Sequence, residues 1–140
     1  MCGIAGVYAL NDDFRLSSRV DELKGMPERL SHRGPESLKC WYDSRAFLSQ
    51  TRLKIIDLSD TADPPVLNET GDIVSVFNGE IYNYQKLRED LLKKGHRFKT
   101  NGDSEVIVHL YEDKGDAFVS DLDGMFSICL WDQRRRRMVL

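Results

Sequence analysis

Cys2 follows the initiator Met1, and removing that methionine would leave a thiol and a free α-amine on one residue. An α-amino group has an unperturbed pKa of about 7.7 to 8.0, so it can take the thiol proton near neutral pH. It can then return that proton to a departing amine, which makes a separate histidine base unnecessary. The chemistry on offer is nucleophilic attack on a carbonyl carbon. An ordinary small buried cysteine near a chain terminus fits the Met-Cys pair as well. Cys40 and Cys129 stand at irregular spacing with no C-x-x-C pair, which argues against thiol-based metal or redox work and for a reducing cytoplasm. His32, His96 and His109 show no ligand spacing to one another, and His96 and His109 read as ordinary positions on a strand and a helix. No metal is expected.

These residues need a scaffold, and the chain has enough length for one. With 140 residues, 41% hydrophobic and 31% charged, it has the balance of a single globular domain, placed at 1–140. A net charge of -3 provides no footprint for holding phosphate backbones, so nucleic acid is not an expected partner. The basic run Arg134 to Arg137 reads as a solvated turn between two strands. The apolar stretch Gly3 to Leu10 is too short to span a bilayer and lacks the basic segment of an export signal, so no membrane partner is expected.

Gly3 to Ala9 reads as a buried strand, so the chain begins inside the fold. Leu16, Val20, Leu23, Met26 and Leu30 are spaced as one helix, which Ser31 to Pro35 ends. Ala46 to Ser49, Leu53 to Leu58 and the β-branched run Ile73 to Phe77 are strand candidates. Asn78-Gly79 then turns the chain sharply, while Asp57 to Gly71, with Pro64-Pro65, reads as a long loop. Asn83 is placed as the cap of a helix bearing Leu87, Leu91 and Leu92 on one face, closed by Gly95 in a left-handed conformation. Arg97 to Thr100 is expected to return as a strand, and Asp103 with Ser104 to cap a helix from Val106 to Tyr111. Met125 to Trp131 is a final apolar strand. Met138 to Leu140 opens its partner but stops before it can pair.

Six blocks stand in order along this chain. They are Met1-Cys-Gly-Ile-Ala-Gly6, His32-Arg-Gly-Pro35, Arg52-Leu-Lys-Ile-Ile-Asp-Leu58, Phe77-Asn-Gly-Glu-Ile-Tyr-Asn83, Gly102-Asp-Ser-Glu-Val106 and Leu122-Asp-Gly-Met-Phe126. In this set and order the sequence resembles the class II, N-terminal-nucleophile glutamine amidotransferases, and within them the glutaminase domain of glutamine-dependent asparagine synthetase. The resemblance implies an α+β fold, an αββα sandwich of antiparallel sheets. It makes Cys2 the nucleophile that releases ammonia from glutamine, and Asn78 and Gly79 the oxyanion hole, through a side-chain amide and a backbone N–H. A type I′ hairpin turn explains the Asn-Gly pair equally well when it is taken alone.

By the same resemblance Arg52 clamps the α-carboxylate of glutamine, a task suited to a planar guanidinium that gives two parallel hydrogen bonds. A surface arginine in a loop is the alternative. Asp103 holds the α-ammonium, Gly102 leaves room for it, and Glu80 lies beside the substrate in a supporting role. The His32 to Pro35 segment reads as a shaped loop beside the pocket that supplies no base. The family's aspartate after His-Arg-Gly-Pro is Glu36 here, and its Gly-x-Gln-Pro stretch is replaced by Thr61-Ala-Asp-Pro-Pro65.

Relatives continue beyond the position of Leu140 into more glutaminase strands and then a synthetase domain that uses ATP and Mg2+. The chain is therefore expected to be a truncated domain, with no cofactor of its own and apolar sheet edges left open. Its ammonia would serve ATP-dependent amidation of aspartate. The other readings are a glutaminase for amino-sugar or phosphoribosylamine synthesis, and a shortened non-catalytic binding module. The sequence is compatible with a homodimer.

Overall fold

The computed structural model describes residues 2–11 and 16–140. The expected loss of Met1 concerns a residue outside that set. The elements along the chain are β1 (Gly3–Tyr8), α1 (Val20–Leu23), α2 (Gly25–Glu28), β2 (Ser37–Tyr42), β3 (Ala46–Arg52), β4 (Val66–Leu67), β5 (Ile73–Ile81), α3 (Tyr84–Lys93), α4 (Glu105–Lys114), β6 (Gly124–Asp132) and β7 (Arg137–Val139). Two antiparallel sheets form, one ordered β1-β3-β2 and the other β4-β5-β6-β7.

The period-2 alternation of the strands sorts their side chains into layers. In β5, Val74 and Val76 join Ala46 and Leu48 of β3 and Cys129 and Trp131 of β6 in a core between the two sheets. The alternate residues Ile73, Phe77 and Ile81 pack with Val106, Ile107, Leu110 and Tyr111 of α4 on the outer face. On the opposite outer face Phe47 meets Leu16, Ala9 and Leu23. The expected αββα order of layers results.

Several local expectations fail, each for a physical reason. The helix expected from Leu16 to Leu30 is three short pieces: a 3-10 turn at Leu16–Arg19, then α1, then α2. Gly25 and Pro27 interrupt it, the first with no side chain to support a helix and the second with no amide to donate. Leu53 to Leu58 and Arg97 to Thr100 are irregular rather than strands. In the second segment carboxylates replace a sheet neighbour: Arg97 N–H donates to Glu69, and the Lys99 and Thr100 amides donate to Glu105.

Strand β2 lacked a clear apolar alternation, yet it pairs with β3 over its whole length. Asn83 stands at the expected N-cap position of α3, but its side chain makes no cap hydrogen bond; its amide instead donates to Asp121 O and accepts from Asp123 N–H. Ser104 likewise makes no side-chain cap for α4. Leu92 is exposed, while Leu91 is buried. Gly95 does follow α3 with a φ of 100°. The Arg134 to Arg137 segment turns between β6 and β7, with Arg134 paired to Asp72 and Arg137 to Asp116. Strand β7 pairs with β6 over three rungs, Leu130 with Val139, Trp131 with Met138 and Asp132 with Arg137, so this partner strand forms where the sequence suggested it would not.

Candidate active site

The core between the sheets ends where its strands turn polar. Along one face of β3 the residues run Ala46, Leu48, Gln50, Arg52, and along the facing side of β5 they run Val74, Val76, Asn78, Glu80. Where the polar half begins, a cleft of about 290 Å³ opens. Cys2, Arg52, Asn78, Gly79, Glu80, Gly102 and Asp103, all singled out from sequence, line it. So do Gln50, Asp57 and Ser127, which were not. This volume lies at the small end of the range usual for small-molecule sites, about 300 Å³ and above.

Cys2 is partly buried at the head of β1, where Gly3 N–H donates to Thr51 Oγ1 at 3.1 Å. Among the described residues its Sγ meets weak partners, the Leu53 amide at 3.5 Å and the Leu53 carbonyl at 3.9 Å. The His-Arg-Gly-Pro loop lies against two residues of this end of the cleft, Cys2 and Arg52. Arg33 Nε donates to the Cys2 carbonyl at 3.0 Å, and Pro35 bridges to Arg52. Gly34 permits the approach, because a Cβ there would lie 2.5 Å from Arg52 N. Cys129 differs from Cys2: it is buried in the inter-sheet core, and burial pushes its thiol up to about 11, which keeps it protonated and unreactive.

Asn78 and Gly79 are not a turn. Strand β5 continues through both, Asn78 opposite Ser127 and Gly79 opposite Phe126. Glycine is required at 79 by proximity: a Cβ there would lie 2.1 Å from Met125 O and 2.6 Å from Phe126 Cα. The edge of β5 beyond β4 carries amides that side chains claim. Phe77 N–H donates to Gln50 Oε1 at 2.8 Å, and Ile81 N–H donates to Asp103 Oδ2 at 3.0 Å. The alternation of strand amides aims the Gly79 N–H at the same edge, between those two.

Arg52 is no surface arginine; it is 8% exposed. Its Nη1 donates to Asp63 Oδ1 at 2.6 Å and to Ser59 O at 2.9 Å, and its Nη2 donates to the Asp57 carbonyl. The Nε–H takes no part in these bonds. A guanidinium is a planar group of five donors, suited to a carboxylate as well as to these carbonyls. Burial pushes Asp63 up, but Arg52, Ser37 and Lys39 outweigh it and hold the carboxyl below its usual value.

Asp103 is pushed the other way. Burial raises it and the Glu80 charge adds to the rise, against the pull of the Ile81, Asp103 and Ser104 amides. A buried carboxylate raised in this way gains from a nearby cation. Asp57 ties the neighbouring loops together, accepting from Ser59 N–H at 2.9 Å and from Asn101 N–H at 2.8 Å. A Cβ on Gly102 would make only ordinary contacts, the nearest at 3.5 Å to Asp57, so the protein itself does not demand glycine there. Glu36, the longer replacement for aspartate, accepts from Lys54 N–H at 2.5 Å.

A cleft with this lining invites comparison with known proteins. The family model described as "Glutamine amidotransferase domain" matches residues 1–140. The chain belongs to that family. It is 45% identical over 140 residues to asparagine synthetase [glutamine-hydrolyzing] 2 of Bacillus subtilis (strain 168), covering 100% of this chain and 18% of that protein. It is also 45% identical over 134 residues to asparagine synthetase [glutamine-hydrolyzing] of Brassica oleracea, covering 96% of this chain and 22% of that one. The chain thus spans about a fifth of the length of these relatives.

Among solved structures, the glutamine phosphoribosylpyrophosphate amidotransferase from B. subtilis, complexed with ADP and GMP, aligns with a TM-score of 0.51 at 19% identity. The alignment covers 64% of this chain and 21% of that one. At that identity the likeness speaks for the fold, which is that of the N-terminal-nucleophile amidotransferases. The asparagine synthetase relatives do not favour the amino-sugar or phosphoribosylamine readings. Among the described residues no helix is long and apolar enough to cross a membrane.

Proposed function

We propose that this amidotransferase domain hydrolyses free glutamine through Cys2. The observation that carries the reading is the shared cleft: Cys2 from the head of one sheet lines it together with Asn78 and Gly79 of the other, and with Arg52 and Asp103. With Met1 gone, the Cys2 α-amine takes the thiol proton and the thiolate attacks the carboxamide carbon of glutamine. The Asn78 amide and the Gly79 N–H receive the oxyanion. The C–N bond then breaks, ammonia leaves with the returned proton, and a thioester remains. Water, deprotonated by the same amine, attacks the thioester to give glutamate and the free thiol. The Arg52 fork reads the substrate's α-carboxylate and Asp103 its α-ammonium, with Glu80 in support and Gly102 leaving space. Reading both charged groups on the α-carbon selects the free amino acid over a glutamine inside a peptide.

In the longer protein the ammonia serves amidation of aspartate to asparagine, driven by ATP with Mg2+ in a synthetase domain, in the cytoplasm. The names of the relatives and the short share of their length that this chain spans support that reading.

The test is ammonia release from free glutamine by the chain and by Cys2→Ala, with intact mass reporting the loss of Met1 and thermal melting reporting the fold. Activity should fall by at least about 10³-fold in Cys2→Ala while the melting temperature holds, because the thiol makes only weak contacts. Activity retained in Cys2→Ala overturns the nucleophile.

A further inference from the structure

Outside the residues that line the cleft, the fold gathers four that sequence spacing did not join. Glu69 comes from the turn before β5, His96 from the connector after α3, and His109 and Glu112 from α4. Each offers one ligand atom, and these atoms all lie within 4.8 Å of one another. His96 Nδ1 is 3.2 Å from Glu69 Oε1 and 3.9 Å from Glu112 Oε2, and His109 Nδ1 is 3.2 Å from Glu69 Oε2. Four ligands at zinc-type bond lengths of 2.0 to 2.1 Å stand about 3.3 Å apart in a tetrahedron.

The second observation is His109. Its ring is fully buried, and neither nitrogen makes a hydrogen bond of acceptable geometry within the protein. A buried imidazole left this way carries a desolvation cost that an ion at Nδ1 would remove.

We infer that Glu69, His96, His109 and Glu112 form a site for one divalent cation of the zinc class. Two imidazoles with two carboxylates suit a borderline ion better than magnesium or calcium, which favour oxygen alone. With both imidazoles neutral, the two carboxylates leave a negative charge that such an ion balances. Outer partners of the usual kind surround the ligands. His109 Nε2 faces Glu105 Oε1 at 3.6 Å, the Arg97 amide donates to Glu69 Oε1 at 2.7 Å, and Asn68 Nδ2 donates to Glu112 Oε2 at 3.3 Å. The bound ion ties the β4–β5 turn and the connector after α3 to α4. That connector leads on to Gly102 and Asp103, so the site would steady a segment that lines the cleft without itself lining it.

The test uses the chain carrying Cys2→Ala, because the aminothiol at the terminus would itself hold zinc. Calorimetric titration with Zn2+ should show one saturable site and a raised melting temperature. Co2+ should give the absorption of an ion bound to nitrogen and oxygen. His96→Ala and Glu112→Gln, both at the rim of the cluster, should each weaken Zn2+ binding by at least about tenfold, whereas His109→Ala risks the fold and is not relied upon. Absence of saturable binding, or an affinity unchanged by both variants, overturns the site and leaves a cluster of histidines and carboxylates that holds no ion.

Discussion

The two walls of the cleft are held in different ways. On the three-stranded side, Cys2 and Arg52 are positioned by side chains reaching across loops: Arg33 to the Cys2 carbonyl, and Arg52 to Asp63, Ser59 and Asp57. On the four-stranded side, Asn78 and Gly79 are positioned by backbone, through the unbroken β5–β6 ladder and a glycine too close to its neighbour for any side chain. One wall therefore depends on charge and hence on pH, and the other on steric fit. A site that must hold a charged substrate end against a neutral reacting carboxamide can use both, since charge selects the ligand while rigid amides hold the reacting atoms.

Substitution can break that contrast at three strengths. Gly79→Ala should do most, because the new methyl meets backbone atoms rather than a flexible side chain. A loss of about 4 kcal/mol is expected in urea unfolding, of similar size at neutral and acid pH. A loss below about 1 kcal/mol would mean that β6 can move away and that this wall is soft.

Asp63→Asn addresses the other wall. Breaking the buried pair should cost about 3 kcal/mol at pH 7. Since the carboxyl of Asp63 lies below its unfolded value, its contribution is complete above about pH 4 and lost as pH falls through the depressed folded value. The stability gap between Asp63→Asn and the parent chain should therefore narrow in acid; a gap independent of pH would remove the electrostatic account of this wall.

Arg52→Lys should have the smallest effect. Lysine keeps a charge but has no fork, so KM for glutamine is expected to rise about tenfold while kcat changes little. An unchanged KM would contradict the clamp.

Much of this was legible because local rules and short motifs carry it. The strand from Gly3, the core of β5 and the long β6 follow from apolar content, and the layer each residue faces follows from alternation. The same alternation could have found Gln50, which shares its strand face with Arg52 and with the buried Ala46 and Leu48. The Asn78-Gly79 turn was misread because the dipeptide is a strong local turn signal, while nine rungs with β6 override it. Nothing near Asp63 announced its pairing with Arg52, and nothing near Glu69 announced His109, because both contacts join separate loops and elements.

The sequence by itself determined the family, the two-sheet class of fold and a set of cleft residues, because residue type and order encode propensity, periodicity and motif. Only the tertiary structure decided that β5 runs straight through its glycine, that Arg52 is buried against Asp57, Ser59 and Asp63, and that two histidines set aside as ordinary meet two glutamates. Those outcomes depend on which distant segments pack together, a free-energy balance over the whole chain that no short window of residues contains.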